Sequence, residues 1–92
     1  MSERTYVSLF ACYLNTNYMG VDAVVELLGY DPYTKCEATG EPIGYEFEKV
    51  MEPVRNKWFE LIDSGKNVDS GDLEKYAKKL FKKVNSLMVK LN

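Results

Sequence analysis

The chain has 92 residues, of which 46% are hydrophobic and 28% charged, and its formal net charge is −2. This length supplies one modest hydrophobic core and excludes two independent ones, so residues 1–92 are expected to form a single domain. The sequence has no histidine, and its two cysteines cannot complete a four-ligand zinc site. We therefore expect a protein that is not an enzyme and that binds no metal and no cofactor.

The N-terminal run, residues 5–14, fits two kinds of secondary structure. Its β-branched and aromatic residues favour a strand. The same run also carries a helical stripe, which consists of Tyr6, Leu9, Phe10, Tyr13 and Leu14. No second strand is evident to pair with it, so we expect a helix, with a short N-terminal strand as the alternative.

The cysteines and the N-terminus bear on the compartment. Cys12 lies in the apolar run and is expected in the core, whereas Cys36 lies in a polar stretch and is expected at the surface. Whether the two cysteines pair is left open, and nothing else indicates an oxidising compartment. Glu3 offsets Arg4, and residues 15–18 make a poor cleavage site for a signal peptide. We expect a cytoplasmic protein that does not enter a membrane.

A short second helix is predicted from about Tyr18 to Leu28, with Gly29 ending it. Its apolar positions are Val21, Val24, Val25 and Leu28. From Gly29 to Gly44 the sequence has no period and is interrupted by glycine and proline. An irregular segment of this length in a small domain is often functional.

The C-terminal half predicts two long helices. Seven apolar residues between Phe47 and Ile62 keep one helical phase across Pro53, so we expect one bent helix from about Tyr45 to Asp63. A helix that begins at Pro53 is the second choice. The last helix starts near Asp69 or Ser70 and has the clearest stripe: Leu73, Tyr76, Ala77, Leu80, Phe81, Val84, Leu87, Met88 and Leu91.

The predicted fold class is therefore all-α, or mainly α with a short N-terminal strand. We expect a bundle of three to four helices in which the last two form an antiparallel hairpin. In that hairpin the stripe of the last helix should pack on the stripe of the helix before it.

The irregular segment is the first candidate binding surface. It holds or borders three tyrosines, and exposed tyrosine is enriched at protein interfaces. Acidic neighbours would give this surface a negative rim. The candidate partner-binding residues are Tyr30, Asp31, Tyr33, Glu37, Glu41 and Tyr45. The alternative is that these tyrosines cover the edge of the core.

The last helix is the second candidate surface. Residues 72–92 carry a net charge of +4, whereas residues 1–71 carry −6. The lysines beside or opposite the apolar stripe could follow a phosphate backbone; they are Lys75, Lys78, Lys79, Lys82 and Lys83. The alternative is a solvated helix face that keeps the protein soluble.

Together these features favour a non-enzymatic protein–protein interaction module that occupies a surface of a larger host protein or protein complex. One concrete form is an inhibitor, encoded by a phage or mobile element and acting in the host cytoplasm, that blocks a nucleic-acid-processing defence complex. The alternative function is a nucleic-acid-binding accessory protein that uses the lysines of the last helix. A homodimer would result if the N-terminal apolar stripe exceeds what this small core can cover.

Overall fold

A computed structural model describes residues 2–16 and 19–91 of the chain. They form four helices: α1 (Glu3–Asn15), α2 (Val21–Leu27), α3 (Ile43–Asp63) and α4 (Ser70–Leu91). In these ranges there is no strand, and the only β-type pairing is an isolated bridge between Lys35 and Pro42. The all-α fold is confirmed, and the alternative of an N-terminal strand is wrong. No helix in the described ranges is both long and apolar enough to cross a membrane.

Helix α1 begins with a side-chain cap and buries one face. The Ser2 hydroxyl accepts a hydrogen bond from the Thr5 amide at 3.3 Å, which satisfies one of the unpaired amides of the first turn. Phe10, Tyr13 and Leu14 are buried in the core. The C-terminal end of this helix is held by α3, because the Arg55 guanidinium donates to the Thr16 carbonyl at 2.7 Å.

The two cysteines have the opposite exposures to those predicted. Cys12 is exposed, because a step of 100° per residue places it on the side of α1 opposite Phe10 and Leu14. Cys36 is buried in a turn, where its carbonyl accepts a 2.7 Å hydrogen bond from the Gly40 amide. Both cysteines are free thiols. An apolar run and a polar run were therefore poor guides to burial here.

Helix α2 is shorter than predicted. It begins at Val21, after the extended residue Gly20, and the predicted start at Tyr18 lies outside the described residues. Gly29 ends it as expected, with φ at 95°. The Gly29 amide donates to the Glu26 carbonyl and the Tyr30 amide donates to the Val25 carbonyl, which satisfies the last carbonyls of the helix.

Helix α3 is one continuous helix through Pro53. The prediction of a single helix is confirmed, and the second choice of a start at Pro53 is wrong. The helix begins at Ile43, two residues before the predicted start, so Gly44 belongs to its first turn. It ends at Asp63, followed by Gly65 at φ 80°.

Helix α4 lies between α1 and α3. A reciprocal cap starts it: the Asp72 amide donates to the Asp69 carboxylate at 3.0 Å, and the Asp69 amide donates to the Asp72 carboxylate at 3.2 Å. Ala77, Leu80 and Val84 are fully buried in the core that all four helices share. Aromatic side chains join the helices on either side, since Tyr6 of α1 contacts Phe81 and Trp58 of α3 contacts Tyr76.

The antiparallel hairpin of α3 and α4 is confirmed. The end of α3 meets the start of α4, where Trp58 and Ile62 line one cavity with Leu73. At the opposite end, Lys49 and Pro53 of α3 lie beside residues 82–86 of α4. One member of the predicted interface is only partly covered, because Ile62 keeps 44% of its surface exposed.

Candidate functional site

The loop of residues 30–42 is fastened to the first turn of α3 by backbone hydrogen bonds. The Gly44 amide donates to the Pro32 carbonyl at 2.9 Å, and the Ile43 amide donates to the Thr34 carbonyl at 2.8 Å. Within the loop, the Cys36 amide donates to the Glu41 carbonyl at 2.7 Å. The first amides of a helix have no partner inside the helix, so the loop carbonyls satisfy groups that would otherwise need water. The loop is therefore ordered although it has no regular secondary structure.

Gly44 is the point where this loop, α2 and α3 meet. A Cβ atom at this position would lie 2.9 Å from the Asp22 Oδ1 atom and 3.0 Å from the Pro32 Cβ atom. It would also lie 3.1 Å from the Pro32 carbonyl oxygen, which belongs to the backbone. Pro32 itself is buried. Only glycine lets the loop approach the helix this closely.

A side-chain bridge also ties the loop to α3. The Thr39 hydroxyl donates to Glu46 Oε1 at 2.8 Å, and the Lys49 ammonium lies 2.9 Å from Glu46 Oε2. The hydrogen bond from Lys49, helped by that from Thr39, holds the pKa of Glu46 below its ordinary value. Lys49 also lies over the ring of Tyr45, 5.1 Å from its centroid.

We expect the Glu46 bridge to make stability depend on pH in acid. The pKa of Glu46 is lowered in the folded state. The bridge therefore contributes fully to the free energy of unfolding above the ordinary pKa of 4.5, and this contribution is lost as pH falls through the lowered value. The Glu46→Gln variant should lose about 1 kcal/mol of unfolding free energy at about pH 7, and this difference should shrink in acid. Urea denaturation across pH measures it.

The matched control for this bridge is Glu60→Gln, which changes an exposed carboxylate farther along α3. It should cost at most a few tenths of a kcal/mol throughout, as exposed charges contribute little. A difference for Glu46→Gln that stays constant down to the acid limit would contradict the bridge.

The structure brings five of the six predicted partner-binding residues to the surface. Tyr33 exposes 75% of its surface and Tyr45 46%. Asp31, Glu37 and Glu41 are also exposed. Tyr30 differs, because it is half-buried and packs on Phe47 with 5.5 Å between the ring centroids. We call the five exposed residues the tyrosine surface; they are Asp31, Tyr33, Glu37, Glu41 and Tyr45.

Hydrogen bonds within the protein fix the backbone that carries the tyrosine surface. The Asp31 carboxylate accepts hydrogen bonds from the Tyr33 amide at 3.0 Å and from the Thr34 hydroxyl at 3.1 Å, so it shapes the turn that carries Tyr33. Pro32, between Asp31 and Tyr33, is held by Gly44, next to Tyr45. This one backbone hydrogen bond therefore joins the segments that carry Tyr33 and Tyr45, although twelve positions separate the two tyrosines.

Carboxylates that were not among the predicted site residues extend the negative surface. Glu48 and Glu52 lie one turn apart on α3 and share a shallow depression with Tyr45. The Glu52 carboxylate raises the pKa of Glu48 above its ordinary value, and Asp22 of α2 adds to the effect. The spacing of Glu48 and Glu52 was visible in the sequence, but their proximity to Tyr45 and Asp22 depends on how the helices pack.

The lysines predicted on α4 are also all exposed. Lys75, Lys78, Lys79, Lys82 and Lys83 lie on the side of the helix away from Ala77, Leu80 and Val84. Lys78 is 3.3 Å from the Glu74 carboxylate. Lys49 of α3, which was not predicted to join them, lines a groove together with Lys82 and Lys83.

Neither surface provides a metal site. Across residues 2–16 and 19–91, no group of three or more cysteine, aspartate or glutamate side chains is arranged to hold a metal ion. Comparison of the chain with protein families, with curated proteins and with solved structures finds no match. Function must therefore be argued from the two surfaces themselves.

Proposed function

We propose that the chain is a non-enzymatic protein-binding domain and that the tyrosine surface is its binding site. The observation that carries this proposal is the 75% exposure of Tyr33 on a loop fixed to α3 by backbone hydrogen bonds. Tyrosine offers a large contact area with few rotatable bonds and is enriched among the residues that dominate interface energies. An ordered loop also loses little conformational entropy on binding.

The charges around the tyrosines favour a basic partner. Asp31, Glu37 and Glu41 belong to the tyrosine surface, and Glu48 and Glu52 lie beside Tyr45. Complementary charge speeds the encounter of two proteins and selects against acidic partners. A more specific form of the proposal is an inhibitor, encoded by a phage or mobile element, that covers the basic nucleic-acid channel of a host defence complex. Charge complementarity is the support for that form.

The experiment is affinity capture from host lysate, with and without nuclease and at low and high salt, followed by titration of the recovered partner. We expect a stoichiometric protein partner that survives nuclease treatment. Tyr33→Ala should weaken its affinity about tenfold or more, because the side chain would lie at the centre of the interface. The unfolding free energy should change little, because Tyr33 packs on little in the free protein.

The matched control is Val89→Ala, which shortens another exposed apolar side chain, 69% exposed and located near the end of α4. It should leave the affinity unchanged. The proposal fails if no stoichiometric protein partner is recovered. It also fails if the partner binds Tyr33→Ala and the parent equally well.

A further inference from the structure

The exposed side of α4 is a continuous basic surface. From Lys75 to Lys83 the helix advances about 12 Å, and five lysines occur within that distance. A DNA duplex presents about seven phosphate charges over the same length. About three to four of these phosphates belong to one strand, so several lysines can contact one stretch of phosphate backbone together.

Lys49 widens this surface beyond α4. It comes from α3 and lines a groove between the two helices. Lys82, Lys83 and the Ser86 side chain form the opposite wall. Three ammonium groups from two helices therefore border one groove. The Ser86 hydroxyl on the same wall donates to the Lys82 carbonyl at 3.1 Å, so the lysines are the donors that a phosphate oxygen would meet. We call Lys49 and the five exposed lysines of α4 the lysine surface; its members are Lys49, Lys75, Lys78, Lys79, Lys82 and Lys83.

Most of these charges are not neutralised within the protein. Over the described ranges, Lys75, Lys79, Lys82 and Lys83 have no carboxylate within salt-bridge distance. Two members of the surface are paired: Lys49 lies 2.9 Å from the Glu46 carboxylate, and Lys78 lies 3.3 Å from Glu74. The pair of Lys78 and Glu74 is weak, because both side chains are more than half exposed. An anion could therefore bind most of these lysines without first breaking an internal ion pair.

The packing of α4 favours nucleic acid over a lipid surface. A helix that binds a membrane inserts its apolar face among the lipids. In this protein that face is occupied, because Ala77, Leu80 and Val84 are fully buried in the core. A phosphate backbone requires only the exposed charges. The surface uses lysine rather than arginine, which suits contacts to phosphate and does not provide the paired hydrogen bonds that identify a base.

We propose that the lysine surface binds the phosphate backbone of nucleic acid without regard to sequence. This activity differs from the proposed function, because its main contacts are the lysines of α4 rather than the tyrosine surface. The two surfaces adjoin at Lys49, which lies 5.1 Å from the centroid of the Tyr45 ring. The binding is expected to be weak and strongly dependent on salt, with dissociation constants on the order of 10 µM at low salt. The net negative charge of the rest of the chain limits it further.

The test is fluorescence anisotropy with a labelled DNA duplex of about 20 base pairs, titrated between about 50 and 300 mM sodium chloride. The variant Lys82→Gln/Lys83→Gln should lower affinity about tenfold or more at low salt. The slope of log affinity against log salt should become less steep by about 1.8, because each lost phosphate contact contributes about 0.9. The variant Lys82→Arg/Lys83→Arg should keep the parent affinity and slope, since the charge is retained.

The matched control is Lys35→Gln/Lys66→Gln, which removes the same charge from exposed positions outside the lysine surface. It should leave the slope unchanged. The proposal is overturned if the parent does not bind the duplex at low salt, or if the control loses as much affinity as the test variant. Binding to vesicles of anionic lipid without binding to DNA would also overturn it.

Two variants distinguish duplex binding by the lysine surface from partner binding by the tyrosine surface. Tyr33→Ala should retain full affinity for the duplex, and Lys82→Gln/Lys83→Gln should still capture the protein partner. If Tyr33→Ala weakened duplex binding as much as the lysine variant, nucleic acid would be contacting the tyrosine surface and the assignment to the lysine surface would fail.

Discussion

Leu80→Ala is expected to lower the free energy of unfolding by about 3 to 4 kcal/mol, the largest effect of any substitution considered for this protein. Leu80 is fully buried on α4, one turn from Ala77 and from Val84. The alanine would remove apolar contacts and leave a cavity between helices that cannot fully close around it. A domain of this size has a total stability of roughly 5 to 10 kcal/mol, so the variant should lose about a third or more of it.

The matched control for Leu80→Ala is Leu27→Ala, which makes the same truncation at the end of α2, where the side chain is 56% exposed. It should cost less than about 1 kcal/mol. Urea denaturation followed by circular dichroism measures both variants, and the urea dependence of the free energy should stay the same if unfolding remains two-state. Equal losses for the two variants would mean that α4 does not occupy the centre of the bundle.

Gly44→Ala is expected to lower the free energy of unfolding by about 2 kcal/mol and to weaken partner binding as well. The added Cβ atom would meet the Pro32 Cβ atom at 3.0 Å and the Pro32 carbonyl oxygen at 3.1 Å. Relief requires the loop to move away from α3 by a few tenths of an ångström, which lengthens and weakens the 2.9 Å hydrogen bond between the Gly44 amide and the Pro32 carbonyl. Since Pro32 precedes Tyr33, the exposed tyrosine should move with it.

The sign of this effect is diagnostic, because helix propensity alone would make alanine at a helical position about 1 kcal/mol more stable than glycine. Gly71→Ala in the first turn of α4 is the matched control. Its Cβ atom would meet no backbone atom and only Asp69 Oδ1 at 3.1 Å. That oxygen accepts the capping hydrogen bond from the Asp72 amide, and a shift of a few tenths of an ångström relieves the contact. Its stability should change by less than about 1 kcal/mol. A stabilising Gly44→Ala variant would show that the loop is not held against the helix.

Two observations identify the loop movement itself. Amide hydrogen exchange should accelerate at Gly44 and Ile43, the two α3 amides that donate to loop carbonyls. Amide exchange in the middle of α4 should change only as much as the free energy of global unfolding changes. If partner binding weakens while exchange at these two amides is unchanged, the loss of affinity has another origin than the loop.

Local chemistry was enough to locate most of the helices. The apolar stripe of α4, the reciprocal cap at Asp69 and the glycine stop at Gly29 are features of neighbouring residues, and the structure contains all three. The phase of the stripe across Pro53 likewise predicted one continuous α3, which the structure confirms. Such signals depend on the 3.6-residue period of the helix and on unpaired groups at its ends. They do not depend on the rest of the fold.

The N-terminal segment and the two cysteines depended on tertiary contacts. Residues 5–14 had both strand and helix character, and α1 is stabilised where Tyr6 meets Phe81 of α4. Cys12 is exposed and Cys36 buried because burial follows the face of a helix and the path of a turn, rather than the mean polarity of neighbouring residues.

The two candidate surfaces also depend partly on local sequence and partly on tertiary contacts. The sequence by itself determined that the tyrosines lie in or beside an irregular segment and that the lysines of α4 lie away from its apolar stripe, because both follow from local composition and helical period. Only the tertiary structure decided that Tyr30 covers the core, that Gly44 fastens the loop to α3, and that Lys49 joins Lys82 and Lys83. These are contacts between segments distant in sequence, and the packing of whole helices determines which distant side chains meet.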